Sequence, residues 1–439
     1  MKRDEMIKLS FRRSFGGYTA VSFLCDRLCD MYALYEVDHN GIRLIGETED
    51  AVLRLAGVNE NGRYLAEGYD VRDGSYSRVA SSEDTLFSYA GPAPGKPRVS
   101  AAMAAWNAEA WLPRCIDSIL ASTVPVEIII VDDGSDDGTD RVGEWYAAAY
   151  ANIIYLRLSH KGEPAARNAG LAAASCEWIA YPDADDIVRP SMYERLLDAA
   201  DASGSDVAFC TYDVSTGKLP RAVILRGNPD GSYVSFDAGR LLRHGMERLY
   251  LAAVIKIEKA EIAKAVGFAG DEWFPSGLRS ELEVGHSLGV FGSCSKAVFV
   301  RFPGYTWDRR RESLSPSSTT VNKKRSAYDL WAAHVSMRLY GCRKALPNSR
   351  DELLYFTCRG FAKDAAERAI SDRVISLFHE AIRTLSKWYD VELNSFVRAD
   401  PDTMRFVAAA LCDGRKLTRM EKLAKRRSER LSVKGGTAV

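Results

Sequence analysis

An acidic tetrad, Asp183-Ala184-Asp185-Asp186, follows the apolar run Trp178-Ile179-Ala180-Tyr181. Apolar residues that stop at a carboxylate cluster describe a buried strand ending at an open sheet edge. In open α/β sheets the ligand crevice lies outside the carboxyl ends of the strands. Three carboxylates at such a place repel one another, and no cation is evident beside them in the sequence. A hard divalent cation meets that need: Mg²⁺ or Mn²⁺ takes one or two carboxylates and completes its shell with water and substrate phosphates. The competing reading makes Asp186 the cap of a helix that opens near Pro190, with the other acids solvated.

Upstream, Glu127-Ile128-Ile129-Ile130-Val131 runs into Asp132-Asp133-Gly134-Ser135, a second apolar strand that ends in acids and turn chemistry. The pattern over residues 98–212 alternates. Strands are expected at Val99–Ala105, Glu127–Val131, Asn152–Arg157, Trp178–Tyr181 and Asp206–Thr211. Helices are expected at Leu112–Ala121, Thr139–Tyr150, Ala165–Ala174 and Pro190–Ser203. Such alternation builds a parallel-rich sheet covered on both faces. No G-x-G-x-x-G follows the first strand, which argues against a dinucleotide-binding domain.

Four segments in order carry a resemblance. They are Val99–Asn107, a strand ending in Trp106-Asn107; Val131-Asp132-Asp133-Gly134-Ser135; Ala166-Arg167-Asn168-Ala169-Gly170-Leu171; and Asp183–Asp186. Together they resemble the nucleotide-sugar-binding half of glycosyltransferase family 2, the inverting GT-A enzymes, closely over residues 98–212 and more faintly to about residue 318. The resemblance implies a metal-dependent hexosyltransferase with a GT-A core, a Rossmann-like, parallel-rich mixed sheet. It implies Asp185 as metal ligand and Asp183 as a group positioning the ribose and the metal shell. Trp106 would stack on the nucleobase, Asp132 or Asp133 would accept from base or ribose, and Arg167 would donate to the base. Sugar transfer also needs a base within hydrogen-bond reach of the acceptor hydroxyl. The family carries a Glu-Asp pair before a helix, with the Asp as base; here the matching pair is Ser280-Glu281. Glu281 keeps a carboxylate but adds a methylene. Glu283 and His286 are the fallback candidates.

The rest of the chain frames this core. Its 439 residues suggest two or three domains. The division expected is a β-rich module over 1–95, the GT-A domain over 96–320 and a helical extension over 321–439. The module is read from short aromatic and β-branched stretches between turn signals such as Asn59-Glu60-Asn61-Gly62. Its tyrosines could line a sugar surface or serve as core and cross-strand pairs. Gly91–Pro97 reads as a linker. Lys plus Arg equals Asp plus Glu at 59 each, so nothing in the charge balance draws the chain to nucleic acid. Nine scattered cysteines without a metal-type pair read as reduced thiols of a cytoplasmic protein. No signal peptide and no membrane span are expected. Arg415–Lys434 holds nine Lys or Arg against two Glu, with Leu417, Met420, Ala424 and Leu431 on one face. That segment could touch anionic lipid at the inner face of the membrane, or pack in a homo-oligomer.

The first functional reading is transfer of a sugar from a nucleotide sugar, a UDP-sugar above all, to a glycan or lipid-linked acceptor in surface polysaccharide synthesis. Its rival is a non-catalytic glycan-binding or assembly protein on the same scaffold, favoured by the altered base pair and the end modules. Nucleotidyl transfer would want a glycine-rich basic loop after the first strand, which Ala101–Asn107 lacks.

Overall fold

The computed structural model describes residues 5–25, 29–38, 41–72, 75–83, 85–86, 88–215, 222–223, 232–237, 252–269, 282–308, 335, 338–344, 347–367, 372–391 and 394–411. Glu281, the Arg309–Ser315 stretch and the basic segment Arg415–Lys434 lie outside them. Among the described residues no helix is long and apolar enough to cross a membrane.

Two sheets organise the chain. The first comprises β1 (Glu5–Ser14), β2 (Tyr18–Leu24), β3 (Met31–Asp38), β4 (Gly41–Thr48), β5 (Val52–Ala56), β6 (Arg63–Arg72), β7 (Ser75–Ser82) and β8 (Thr85–Leu86), in the order β4-β3-β6-β7-β1-β2-β5 with β8 beside β6. Every pairing is antiparallel except β1 with β7. Its tyrosines serve mainly the core and cross-strand pairs. Tyr32 and Tyr64 are buried, the Tyr35 and Tyr69 hydroxyls meet at 3.1 Å, and Tyr69 sets its ring edge-on to Tyr76.

The second sheet contains β9 (Val99–Ala105), β10 (Val126–Asp132), β11 (Ile153–Arg157), β12 (Trp178–Ala180), β13 (Ile187–Val188), β14 (Val207–Ser215), β17 (Lys256–Lys259) and β18 (Lys296–Asp308), in the order β11-β10-β9-β12-β17-β14-β18-β13. Short strands β15 (Ala222–Val223) and β16 (Tyr233–Asp237) flank β14 and β18. β9, β10, β11 and β12 run parallel, and β17 enters antiparallel between β12 and β14. This is the α/β, parallel-rich mixed sheet expected of the core, with strands and helices within two residues of most expected ends. The exceptions are β14, which runs on to Ser215, β13, which was not foreseen, and β15 to β18, which lie beyond residues 98–212, where no strands were assigned from sequence.

Burial on both faces explains why these strands read as unbroken apolar runs. Ile128 and Ile130 face the core built with α1 (Leu112–Leu120), α2 (Thr139–Ala149) and α4 (Met192–Ser203). Ile129 and Val131 face α3 (Glu163–Ala173) and α5 (Ala260–Val266). α3 lies close to the sheet because Gly170 stands over Ala102, where an added Cβ would be 3.0 Å from the alanine methyl. A third core joins Val207, Phe209 and Ala297 to α6 (Leu282–Phe291), α7 (Pro347–Glu367), α8 (Asp372–Trp388) and α10 (Pro401–Leu411), with α9 (Ser395–Ala399) between the last two.

The first sheet docks on α1 and α2 through polar atoms. Asp117 of α1 is fully buried. It accepts from Ser14 Oγ at 2.6 Å and Tyr146 Oη at 2.7 Å, and Arg54 Nε lies 3.1 Å from it. Burial outweighs these donors and Arg12, pushing the carboxyl up to about 6. The folded state therefore keeps a proton that the unfolded chain releases near pH 4, and stability present at pH 4 is lost as pH rises through 6. At 1.36 kcal/mol per pKa unit the loss from this group is about 3 kcal/mol. Asp117→Asn is expected to flatten the decline in stability between pH 4 and 6, as measured by urea denaturation at stepped pH. An unchanged pH slope would contradict it.

Candidate active site

The parallel register brings the acids to one edge. Asp132 of β10 pairs with Ala105 at the end of β9, and Ala180 of β12 pairs with Ala101. The chain then continues through Tyr181-Pro182 to Asp183, level with the ends of its neighbours. Asp183, Asp185 and Asp186 each offer an oxygen within 4.8 Å of the others. Asp186 does not cap a helix: α4 starts at Met192 behind Ser191. Asp186 is buried and accepts from the Asp308 amide at 2.9 Å and from the Tyr305 hydroxyl. Burial first, then the charges of Asp183 and Asp185, raise its carboxyl well above the ordinary range. Asp183 and Asp185 are partly exposed.

Cations do stand beside the acids, which corrects the expectation that none was near. Arg167 of α3 is buried and donates from Nη2 to Asp183 at 2.8 Å and from Nε to Glu163 at 2.9 Å, with its guanidinium 5.6 Å over Phe268. Arg114 of α1 pairs with Asp308 and reaches the Asp185 carbonyl at 3.3 Å. The loop is held further by Cys115 Sγ on the Asp183 carbonyl and by the Asp183 amide donating to Tyr305 at 3.0 Å. Two ionised carboxylates about 5 Å apart at an effective dielectric of about 20 repel by roughly 3 kcal/mol. One arginine on Asp183 and one on Asp308 offset part of this. An all-oxygen donor set, partly exposed and backed by a buried third acid, fits a hard divalent cation.

The other expected residues line the mouth of the crevice or brace it. Trp106 is 46% exposed at the end of β9, its ring 5.1 Å from that of His160. Both corners are tight: Asn107 and His160 have φ of 50° and 49°. Gly134 (φ 73°) follows the acid pair, and a Cβ there would meet the His160 amide at 2.7 Å. Asp132 is fully buried, taking Ser135 N and Oγ on one oxygen and Tyr155 Oη on the other. Asp133 accepts from the amides of Lys161 and Gly162, both at 2.7 Å, just before α3. The pair thus divides: Asp132 closes its own turn, and Asp133 fastens the His160 loop at the entrance.

Glu281 lies outside the described residues, as does the side chain of Glu283. His286 is described and is buried. Nδ1 contacts the Gly267 carbonyl at 2.9 Å, Nε2 pairs with Glu258, and Phe268 stacks on the ring at 4.0 Å. With both nitrogens engaged it braces the core, so the fallback assignment as base is withdrawn. Sequence reasoning gave no role to Arg114, Tyr305, Asp308 or His160. Only the position of Tyr305 and Asp308 beside the Arg309-Arg310-Arg311 stretch could have drawn notice.

Comparison with known proteins gives three findings. Residues 100–242 match the model of glycosyl transferase family 2. The chain is 39% identical over 119 residues to the succinoglycan biosynthesis protein ExoO of Rhizobium meliloti, covering 27% of this chain and 34% of that protein. It is 35% identical over 117 residues to the uncharacterized glycosyltransferase YibD of Escherichia coli K12, covering 26% and 34%. The chain spans about a third of the length of these curated relatives. Among solved structures, S. aureus TarS 1–349 in complex with UDP-GlcNAc is 18% identical, with 71% of this chain and 90% of that chain covered and a TM-score of 0.49.

Proposed function

We propose that this chain, which carries a family 2 glycosyltransferase domain over residues 100–242, moves a sugar with inversion from a nucleotide sugar, a UDP-sugar above all, to a hydroxyl of a glycan or lipid-linked acceptor. The product would be a surface polysaccharide, the class to which the similarity to the succinoglycan biosynthesis protein ExoO points. One observation carries the reading: three carboxylates converge within 4.8 Å at the strand-end edge of a parallel-rich sheet, inside the matched domain.

The departing diphosphate needs its growing charge neutralised. Asp185, with Asp183, would hold Mn²⁺ or Mg²⁺, which when bound supplies Lewis-acid stabilisation of that charge. The protein's own groups supply the rest. Trp106 offers an exposed face for the nucleobase, and Asp133 and Arg167 would supply polar contacts to base and ribose; Asp132, buried and held by Ser135 and Tyr155, is dropped from that role. Asp183 answers to Arg167 as well, which fixes its carboxylate before the donor arrives. Glu281 takes the acceptor proton. No protonated acid is needed for departure, unlike glycoside hydrolysis.

The test is a screen of nucleotide sugars by thermal shift, with and without Mn²⁺, followed by donor hydrolysis and transfer assays on the purified protein. A metal-dependent shift with one nucleotide family, and turnover of that donor, is expected. A shift without turnover would favour the second reading, a non-catalytic glycan-binding or assembly protein, which the Ser280-Glu281 departure from the family's pair motivates. Arg415–Lys434 is further proposed to bring the chain weakly to the cytoplasmic membrane face, at about 1 kcal/mol per basic residue. Flotation with anionic vesicles should fail in high salt. Equal flotation with neutral vesicles would count against it.

A further inference from the structure

Two thiols meet where β2 hands the chain on to β3. Cys25 follows the end of β2, and Cys29 stands two residues before β3. The backbone beside each is anchored. Leu24 pairs with Lys8 of β1, and the Asp30 amide donates to the Tyr69 carbonyl at 2.9 Å. Asp30 in turn accepts from the Val71 amide at 2.8 Å. The side chains converge: the Cys29 thiol donates to the Cys25 sulfur, and the Tyr32 hydroxyl is within hydrogen-bond reach of Cys29. Cys29 packs against β6, where Gly68 leaves it room. A Cβ on Gly68 would lie 2.5 Å from the Cys29 sulfur.

Burial separates the roles of the two. Cys29 is 3% exposed, whereas Cys25 is partly exposed and lines a cavity of about 400 Å³ between the first sheet and the second. Donation to Cys25 first, and burial second, hold the Cys29 thiol well above its ordinary range. A thiol that donates to a neighbouring sulfur favours the thiolate of that neighbour. Cys25 is therefore the member that ionises first and meets solvent, with Cys29 placed to resolve what forms on it. The other described cysteines lack this combination. Cys342 and Cys358 also neighbour each other, but both are fully buried in the helical core, away from an oxidant. Cys176 is partly exposed, and its sulfur contacts the Glu127 carboxylate at 4.0 Å.

We infer that Cys25 and Cys29 form a reversible redox pair, which closes to an intramolecular disulfide on exposure to a peroxide and acts independently of sugar transfer. The Cys25 thiolate attacks one peroxide oxygen, and the O–O bond breaks to leave a sulfenic acid and hydroxide. Cys29 gives its proton to that hydroxide, forming water. Its sulfur then attacks the Cys25 sulfur. The S–S bond forms, the S–O bond breaks, and the departing hydroxide takes up the proton that Cys25 shed on ionising. Two electrons pass from the thiols to the peroxide, which ends as two waters. A dithiol reductant reopens the bond by exchange. The closed pair would tie the end of β2 to the start of β3 beside the cavity that separates the two sheets.

The test uses the full chain, reduced and then stripped of reductant. It is treated with hydrogen peroxide, blocked with N-ethylmaleimide and digested for peptide mass spectrometry. Trypsin cuts after Arg27, so the disulfide appears as two peptides joined across that cut. The linkage is expected to form, to vanish on treatment with dithiothreitol, and to deplete both thiols at least threefold faster than Cys176. Cys29→Ser should trap the sulfenic acid on Cys25, where dimedone labels it. Cys25→Ser should slow Cys29 to the Cys176 rate or below. Depletion of Cys25 at the Cys176 rate, oxidation of Cys25 in the parent chain without linkage, or undiminished oxidation of Cys29 in Cys25→Ser would each overturn the inference. The parent measurement decides by itself if either variant fails to fold. No nucleotide sugar is present, so the result stands apart from the transferase reading.

Discussion

Asp185→Ala is expected to abolish the metal-dependent part of donor binding. In calorimetric titrations the affinity for the responding nucleotide sugar in Mn²⁺ should fall at least tenfold, to the level seen in chelator. The fold should persist. The side chain is partly exposed on a loop, and the contact that Arg114 makes there is with the Asp185 backbone carbonyl, which alanine retains. Removing one of three acids within 4.8 Å also removes repulsion worth roughly 3 kcal/mol per ionised pair. The metal-free variant should therefore melt no lower than the parent, and Mn²⁺ should no longer raise its melting temperature. Undiminished donor affinity that still requires metal would remove Asp185 from the ion's shell and shift attention to Asp183 and Asp186.

The core was legible because its strands are covered on both faces. Val99–Ala105 and Val126–Asp132 read as apolar runs for the same reason that they are central and parallel. The acids were legible because they stand where such runs stop. What surrounds the acids was hidden, since each partner arrives by tertiary packing. Arg114 comes from the start of α1, and Tyr305 and Asp308 come from a strand more than a hundred residues downstream. β13 is only two residues long and is defined by its pairing with β18, so no local periodicity could announce it. Asp132 and Asp133 looked interchangeable in sequence. The left-handed Gly134 corner separates them, turning one back on its own loop and the other onto the loop before α3. His286 looked available as a base because the burial of Glu258 opposite it cannot be read from spacing.

That withdrawal sharpens the last expectation. A single-displacement transfer needs one carboxylate or imidazole near the acceptor hydroxyl, and general-base catalysis contributes typically 10²–10⁴-fold. His286 is spent on Glu258 and Gly267 inside the core. Among the candidates named from sequence, Glu281 is then the carboxylate proposed as base, on the resemblance of Ser280-Glu281 to a Glu-Asp pair before a helix. Glu281→Gln keeps size and hydrogen bonding but cannot accept the proton. Its kcat for transfer is expected to fall by about 10²–10⁴-fold, with donor affinity and its metal dependence unchanged. Glu281→Asp installs the aspartate that the resembled Glu-Asp pair carries at that place. Because a displacement of about 1 Å can change rates a hundredfold, this variant separates two accounts of the substitution. A faster Asp variant would mean that the longer side chain is a detuned base on an otherwise intact site. A slower one would mean that the surrounding acceptor site has been built around glutamate. Parent-like transfer by Glu281→Gln would displace Glu281 in favour of Glu283. Absence of transfer in the parent chain, with donor still bound, would support the non-catalytic reading instead.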